Sequence, residues 1–116
     1  MEENILTSIK TQLAIMPEDE SYDRELLIFI NAAIARLTQL GVGPVQGFAV
    51  NEYTNWSEFV TDITQTSMIE VYVYLKVKSL FDAPTNSSLA KHMEQQINEY
   101  EYLLKVESED DAYAQY

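Results

Sequence analysis

The sequence predicts a small helical domain with one segment divided between helix and strand. Three observations predict it. Apolar residues recur three and four positions apart in three stretches, which is the period of an amphipathic helix. Three glycines and three prolines fall between those stretches, never inside them. At 116 residues the chain can bury about two-thirds of its unfolded surface, enough for one core without staples.

The first helix is expected from Glu3 to Met16, with Leu6, Ile9, Leu13 and Met16 on one face, and Pro17 ends it. Glu18-Asp19-Glu20-Ser21 reads as a polar turn. Ser21 or Asp23 then caps a second helix, whose stripe is Leu27, Ile30, Ile34 and Leu37, widened by Leu26, Phe29 and Ala33. Gly41 stops it, since glycine just past a helix end takes the left-handed backbone without strain. Gly41 to Gly47 begins a long loop that continues to about Tyr53. Thr54 or Asn55 caps a short helix with Trp56, Phe59 and Val60.

The divided segment starts near Ser67. Val71-Tyr72-Val73-Tyr74-Leu75-Lys76-Val77-Lys78 alternates as a strand does. Ser67 and Glu70 have capping-box spacing, and the run to Phe81 is long for a strand. Local signals alone favour the strand slightly. Asp82-Ala83-Pro84 breaks the element. Thr85, Asn86 or Ser87 caps a last helix carrying Leu89, Met93, Ile97, Tyr100 and Leu104. Residues 107–116 read as a separate acidic and tyrosine-bearing tail, frayed or disordered in the isolated chain, after a domain of residues 1–106.

Seven Lys and Arg against nineteen Asp and Glu leave a formal charge of -12. The basic residues are scattered and form no cluster, so ordinary nucleic-acid binding and attraction to anionic membranes are disfavoured. No run approaches the roughly 18 apolar residues of a membrane span. Met1-Glu2-Glu3-Asn4 has the wrong charge for a secretory leader, so a soluble protein made in the cytoplasm is expected. The absence of cysteine removes disulfides, zinc-thiolate sites and thiol nucleophiles.

Nothing resembles a nucleophile with its base, and no catalytic residue, cofactor or metal is expected. His92 is the lone histidine and reads as a solvent-side residue. Glu18, Asp19 and Glu20 lack the alternating oxygens, mid-loop glycine and closing Glu of a calcium loop. Gly41, Gly43 and Gly47 lack the preceding strand and following lysine of a phosphate loop. The eight tyrosines are unusual for this length, and Tyr100, Tyr102, Tyr113 and Tyr116 gather near the chain end, where an aromatic body with a polar tip suits an interface.

Leu40-Gly41-Val42-Gly43-Pro44 after an amphipathic helix, then Gly47-Phe48, then Trp56 with Phe59, form an ordered set of landmarks. The stretch from Tyr72 through Tyr74-Leu75-Lys76-Val77-Lys78 to Phe81-Asp82-Ala83-Pro84-Thr85 follows, and then a final helix with Glu99-Tyr100-Glu101-Tyr102. From about Met16 to Lys105 this resembles the small head–tail connector (adaptor or neck, "DNA packaging") proteins of tailed bacteriophages. The chain departs where family members often carry two prolines, at Ala83-Pro84, and where they often carry Trp-Arg, at Tyr102-Leu103.

The resemblance implies an all-α bundle of about four main helices plus a short one, so the divided segment becomes helix. Met68, Val71, Leu75 and Val77 or Lys78 would then wrap around it, with Tyr72 and Tyr74 on its flanks. It implies a homo-oligomeric ring, a dodecamer, in the virion neck, assembled in the host bacterial cytoplasm. The ring would sit beneath the portal protein, hold a downstream neck, stopper or tail protein, and pass DNA without binding it. An acidic surface suits that channel, because repulsion keeps the duplex mobile. The expected portal contacts are Tyr100, Tyr102, Glu107, Glu109, Asp110, Asp111, Tyr113 and Tyr116. Val42, Val45, Phe48 and Val50 of the glycine loop are expected either to meet a neighbouring subunit or neck protein, or to fold back onto their own core. The competing function is a small acidic helical interaction protein, such as an inhibitor that mimics DNA before a basic enzyme.

Overall fold

The computed structural model describes residues 4–61 and 63–114, with side chains described for 4–61 and 65–109. Its helices are α1 (Ile5–Gln12), α2 (Asp23–Gln39), the short α3 (Trp56–Phe59), α4 (Ile63–Phe81) and α5 (Ser87–Ala114). The fold is an all-α bundle of four main helices plus a short one. Asn4 and Asn55 pair as an isolated antiparallel bridge.

α4 is the central helix and packs against both α2 and α5, while α1 touches α2 and α4. Arg36 meets Glu101 and Leu40 meets Ser108, so α2 and α5 run in the same direction. α4 runs against both, and Tyr22 accordingly stacks edge-on against Phe81, ring centroids 5.3 Å apart. Leu26, Ile30, Ile34 and Leu37 of α2 and Ile69, Val73 and Val77 of α4 are fully buried in one shared core.

The strand preference of residues 71–78 is overturned. A central helix with partners on two sides needs apolar residues around most of its circumference, so its pattern loses the single stripe and mimics alternation. α4 also starts at Ile63, before Ser67, so Ser67 and Glu70 lie inside it. The expected wrapping is corrected at two positions. Tyr72 is fully buried, whereas Val71 is exposed.

α1 ends at Gln12, not at Met16. The amides of Ala14 and Ile15 donate to the carbonyls of Thr11 (3.1 Å) and Lys10 (2.8 Å), and Ala14 takes a left-handed φ of 62°. That pair of bonds closes the helix five residues before Pro17. Met16, expected on the apolar face, is 65% exposed.

Neither Ser21 nor Asp23 caps α2. Tyr22 holds the cap position without a side-chain bond, and Asp23 sits in the first turn. At the other end Gly41 is left-handed, as expected, and the Val42 amide donates to the Leu37 carbonyl at 2.9 Å. Asn55 caps α3, its amide donating to Glu58 Oε2 at 2.8 Å. Asn86 caps α5, its Oδ1 accepting from the amides of Ser88 and Leu89 at 2.8 and 3.2 Å. Leu89, expected on the inner stripe of α5, is exposed.

Candidate partner-binding surfaces

Buried polar groups fix the surfaces this bundle presents. The Tyr72 hydroxyl of α4 donates to Glu101 Oε2 of α5 at 2.8 Å. Arg36 of α2 donates to Glu101 Oε1 through Nε at 3.2 Å and Nη2 at 3.0 Å. One carboxylate therefore ties three helices together. Burial alone would raise the Glu101 pKa, but the bonds from Arg36 and Tyr72 and the Arg36 charge outweigh it and hold the group below its ordinary value. Burial, then the bond to Glu101, pushes the Tyr72 phenol well above the usual range.

A second pair ties α1 to α2. Lys10 is buried, with Nζ 2.8 Å from Asp23 Oδ1 and donating to the Pro17 carbonyl at 2.9 Å. The loop from Gly41 to Asn55 is latched to the helices it crosses. Asn31 accepts from the Val50 amide at 2.7 Å and donates to the Val50 carbonyl at 3.0 Å. The Ile5 amide donates to the Thr54 carbonyl at 3.0 Å, and Asn4 Nδ2 to the Glu52 carbonyl at 2.8 Å.

The four loop residues singled out from sequence part company. Val42 and Val50 are buried in the chain's own core. Phe48 is half-buried, its ring 5.2 Å from that of Phe59. Val45 alone stands out, 96% exposed. Within the single chain Val42, Val50 and Phe48 pack on the core and Val45 does not.

From Tyr100 to Tyr113 the C-terminal set lies on α5, which runs unbroken across the expected boundary at residues 106 and 107 to Ala114. Ser108 Oγ donates to the Leu40 carbonyl at 3.2 Å, so the start of the acidic stretch packs on the end of α2. Tyr102 and Leu103 are exposed, Glu109 is exposed, and Tyr100 and Glu107 are half-buried. The side chains of Asp110, Asp111 and Tyr113, and all of Tyr116, lie outside the described residues.

His92 is exposed on α5. Glu18, Asp19 and Glu20 form an exposed turn in which hydrogen bonding from Ser21, first its side chain and then its amide, 3.0 Å from Asp19 Oδ1, lowers the Asp19 pKa. Among the described residues no three His, Asp or Glu side chains converge to hold a metal ion. Among them, too, no helix is long and apolar enough to cross a membrane.

Sequence reasoning did not single out Tyr22, Ile28, Tyr53 or Leu80, all of them exposed. Ile28 is 60% exposed on α2, and Tyr53 is 77% exposed on the loop. Ile28 falls outside the apolar stripe of α2, which is a legible signal. Tyr53 lies between Glu52 and Thr54 in a loop with no periodicity to mark it.

The described surface includes two grooves. One, of about 890 Å³, runs between α2 and the 52–53 loop, floored by Leu27 and Ile28 and edged by Glu20, Asp23 and Glu52. The other, of about 370 Å³, lies between the end of α4 and the start of α5.

No curated protein and no solved structure matches the chain. The family model described as Phage connector protein matches residues 5–111, which takes in all of α1 through α4 and most of α5. The chain belongs to the phage connector protein family.

Proposed function

We propose that this protein is a structural head–tail connector of a tailed phage, working in the virion neck as a closed ring beneath the portal protein. The ring is a dodecamer assembled in the host bacterial cytoplasm. Its channel passes DNA, and its lower face receives the next neck, stopper or tail protein. The observation that carries this reading is the family match over residues 5–111. The charge of -12 supports it, because an acidic wall leaves a duplex no counterions to release on binding.

The portal contact is the last part of α5. Tyr102 and Leu103 offer apolar anchors already on a helix, and the acids from Glu107 to Asp111 steer encounter with a basic partner and set its register. Tyr113 and Tyr116 extend the same anchor set. Within the glycine loop, Val45 is the side chain free to meet a neighbour without unpacking the core.

Truncation tests this. The cut belongs after Glu109, because cutting after Lys105 would also remove the bond from Ser108 to Leu40. The shortened protein keeps its helical content and loses co-sedimentation with portal rings. Undiminished portal binding would remove the role assigned to the end of α5.

A further inference from the structure

We propose that Tyr53 of one copy seats in the groove between α4 and α5 of the next copy. The proposal rests on the ring reading and names the contact that would build it.

Tyr53 is a large aromatic, 77% exposed, on a loop that is held rigid. Its own amide donates to Asn51 Oδ1 at 2.8 Å, the Asn51 amide donates to Thr54 Oγ1 at 2.9 Å, and the Glu52 carbonyl accepts from Asn4 at 2.8 Å. These bonds fix the backbone that carries the ring, which by itself gives nothing to a monomer. It removes much of the ordering cost of binding, which is what an anchor residue needs.

The groove between α4 and α5 suits that anchor. Pro84, Ala90, Met93 and Ile97 line it with apolar surface, and its volume of about 370 Å³ accepts one aromatic ring. Its polar lining includes Lys76 and Glu94. Those two charges balance, and Lys91, exposed beside Ala90, adds a positive charge at the edge of the groove. Glu52, exposed beside Tyr53, supplies the opposite charge. Acidic copies that repel overall thus attract at this contact.

The placement fits a head-to-tail contact. Leu27 and Arg36 are nine residues apart on α2, about two and a half turns, so they leave the helix on opposite sides. Leu27 borders the groove shared with the 52–53 loop, and Arg36 reaches α5. Knob and socket therefore lie on different sides of α2, and each copy can give one and receive one, the arrangement that closes a ring. Tyr53 anchors this interface without constituting it, since one ring buries only about 150–250 Å².

The cysteine-free chain allows a clean test. Wild-type assembly is first followed by sedimentation with portal protein and at about 1 M salt, where charges are screened within about 3 Å. Under assembling conditions, mild oxidation of the double variant Glu52→Cys with Lys91→Cys gives a ladder of covalent oligomers. Mixing the two single variants gives dimers only, and each single variant alone gives none. Tyr53→Ala, with unchanged helical content, raises the concentration for half-assembly about tenfold or more. Wild-type assembly without the ladder, or assembly indifferent to Tyr53→Ala, overturns the contact and leaves the ring standing. A wild-type chain that stays monomeric under every condition overturns both.

Discussion

Glu101 accepts the hydroxyl hydrogen of the fully buried Tyr72 at 2.8 Å, and this bond joins the centre of α4 to α5. Arg36 holds the other carboxylate oxygen, so α5 is fixed to both α2 and α4 at one point. The hydrogen bonds lower the Glu101 pKa below its ordinary 4.5 despite burial. A group lowered in the folded state stabilises the protein fully above 4.5, and the contribution is lost as pH falls through the folded value. Glu101→Gln should reduce stability at neutral pH and flatten the loss of stability below pH 4.5, read by urea titration across pH. Tyr72→Phe removes one bond to a charged acceptor and should cost about 1–3 kcal/mol without changing helical content.

Ala14 sits in the left-handed region at φ 62°, where an L side chain is strained and glycine is not. Ala14→Gly should raise stability by about 0.5–1 kcal/mol, the relief of strain exceeding glycine's larger unfolded-state entropy. Thermal denaturation checks it, and a lower melting temperature would contradict the helix ending described for α1.

Gly43 is left-handed at φ 83°, and a Cβ there would lie 2.4 Å from Phe59 Cε1. Gly43→Ala should therefore cost more than backbone strain alone, about 2 kcal/mol or more. A Phe59→Leu background should absorb part of that cost, because the ring is gone and only the strain remains. Denaturation of the two singles and the double gives the coupling directly.

Asp23→Ala should cost about 3 kcal/mol, since it leaves the buried Lys10 ammonium with only the Pro17 carbonyl. Lys10→Met, which removes the buried charge itself, should cost less. Equal losses in urea titrations of the two variants would contradict this account of the α1–α2 contact.

Most of the helices were legible because their signals are local. Asn86 and Gly41 mark ends through side-chain oxygen and left-handed backbone, chemistry that does not depend on the rest of the fold. α4 was only half legible from its own residues. Tyr72 and Val73 are both buried because α4 has neighbours on two sides, so its period leaned to strand, while the length of the run and the family resemblance pointed to helix. Ala14 hid the end of α1, since alanine in that conformation carries no sequence mark. At the surface, the exposed Tyr102 was legible as part of an aromatic cluster. Tyr53 was not, because its exposure follows from bonds made by Asn4, Asn51 and Thr54 across the loop.

Electron microscopy of the purified protein with its portal tests the central claim most directly. The account predicts a closed ring of this chain stacked coaxially on the portal, with an open channel. A protein that remains monomeric beside intact portal rings, at low salt and at about 1 M salt alike, would contradict it.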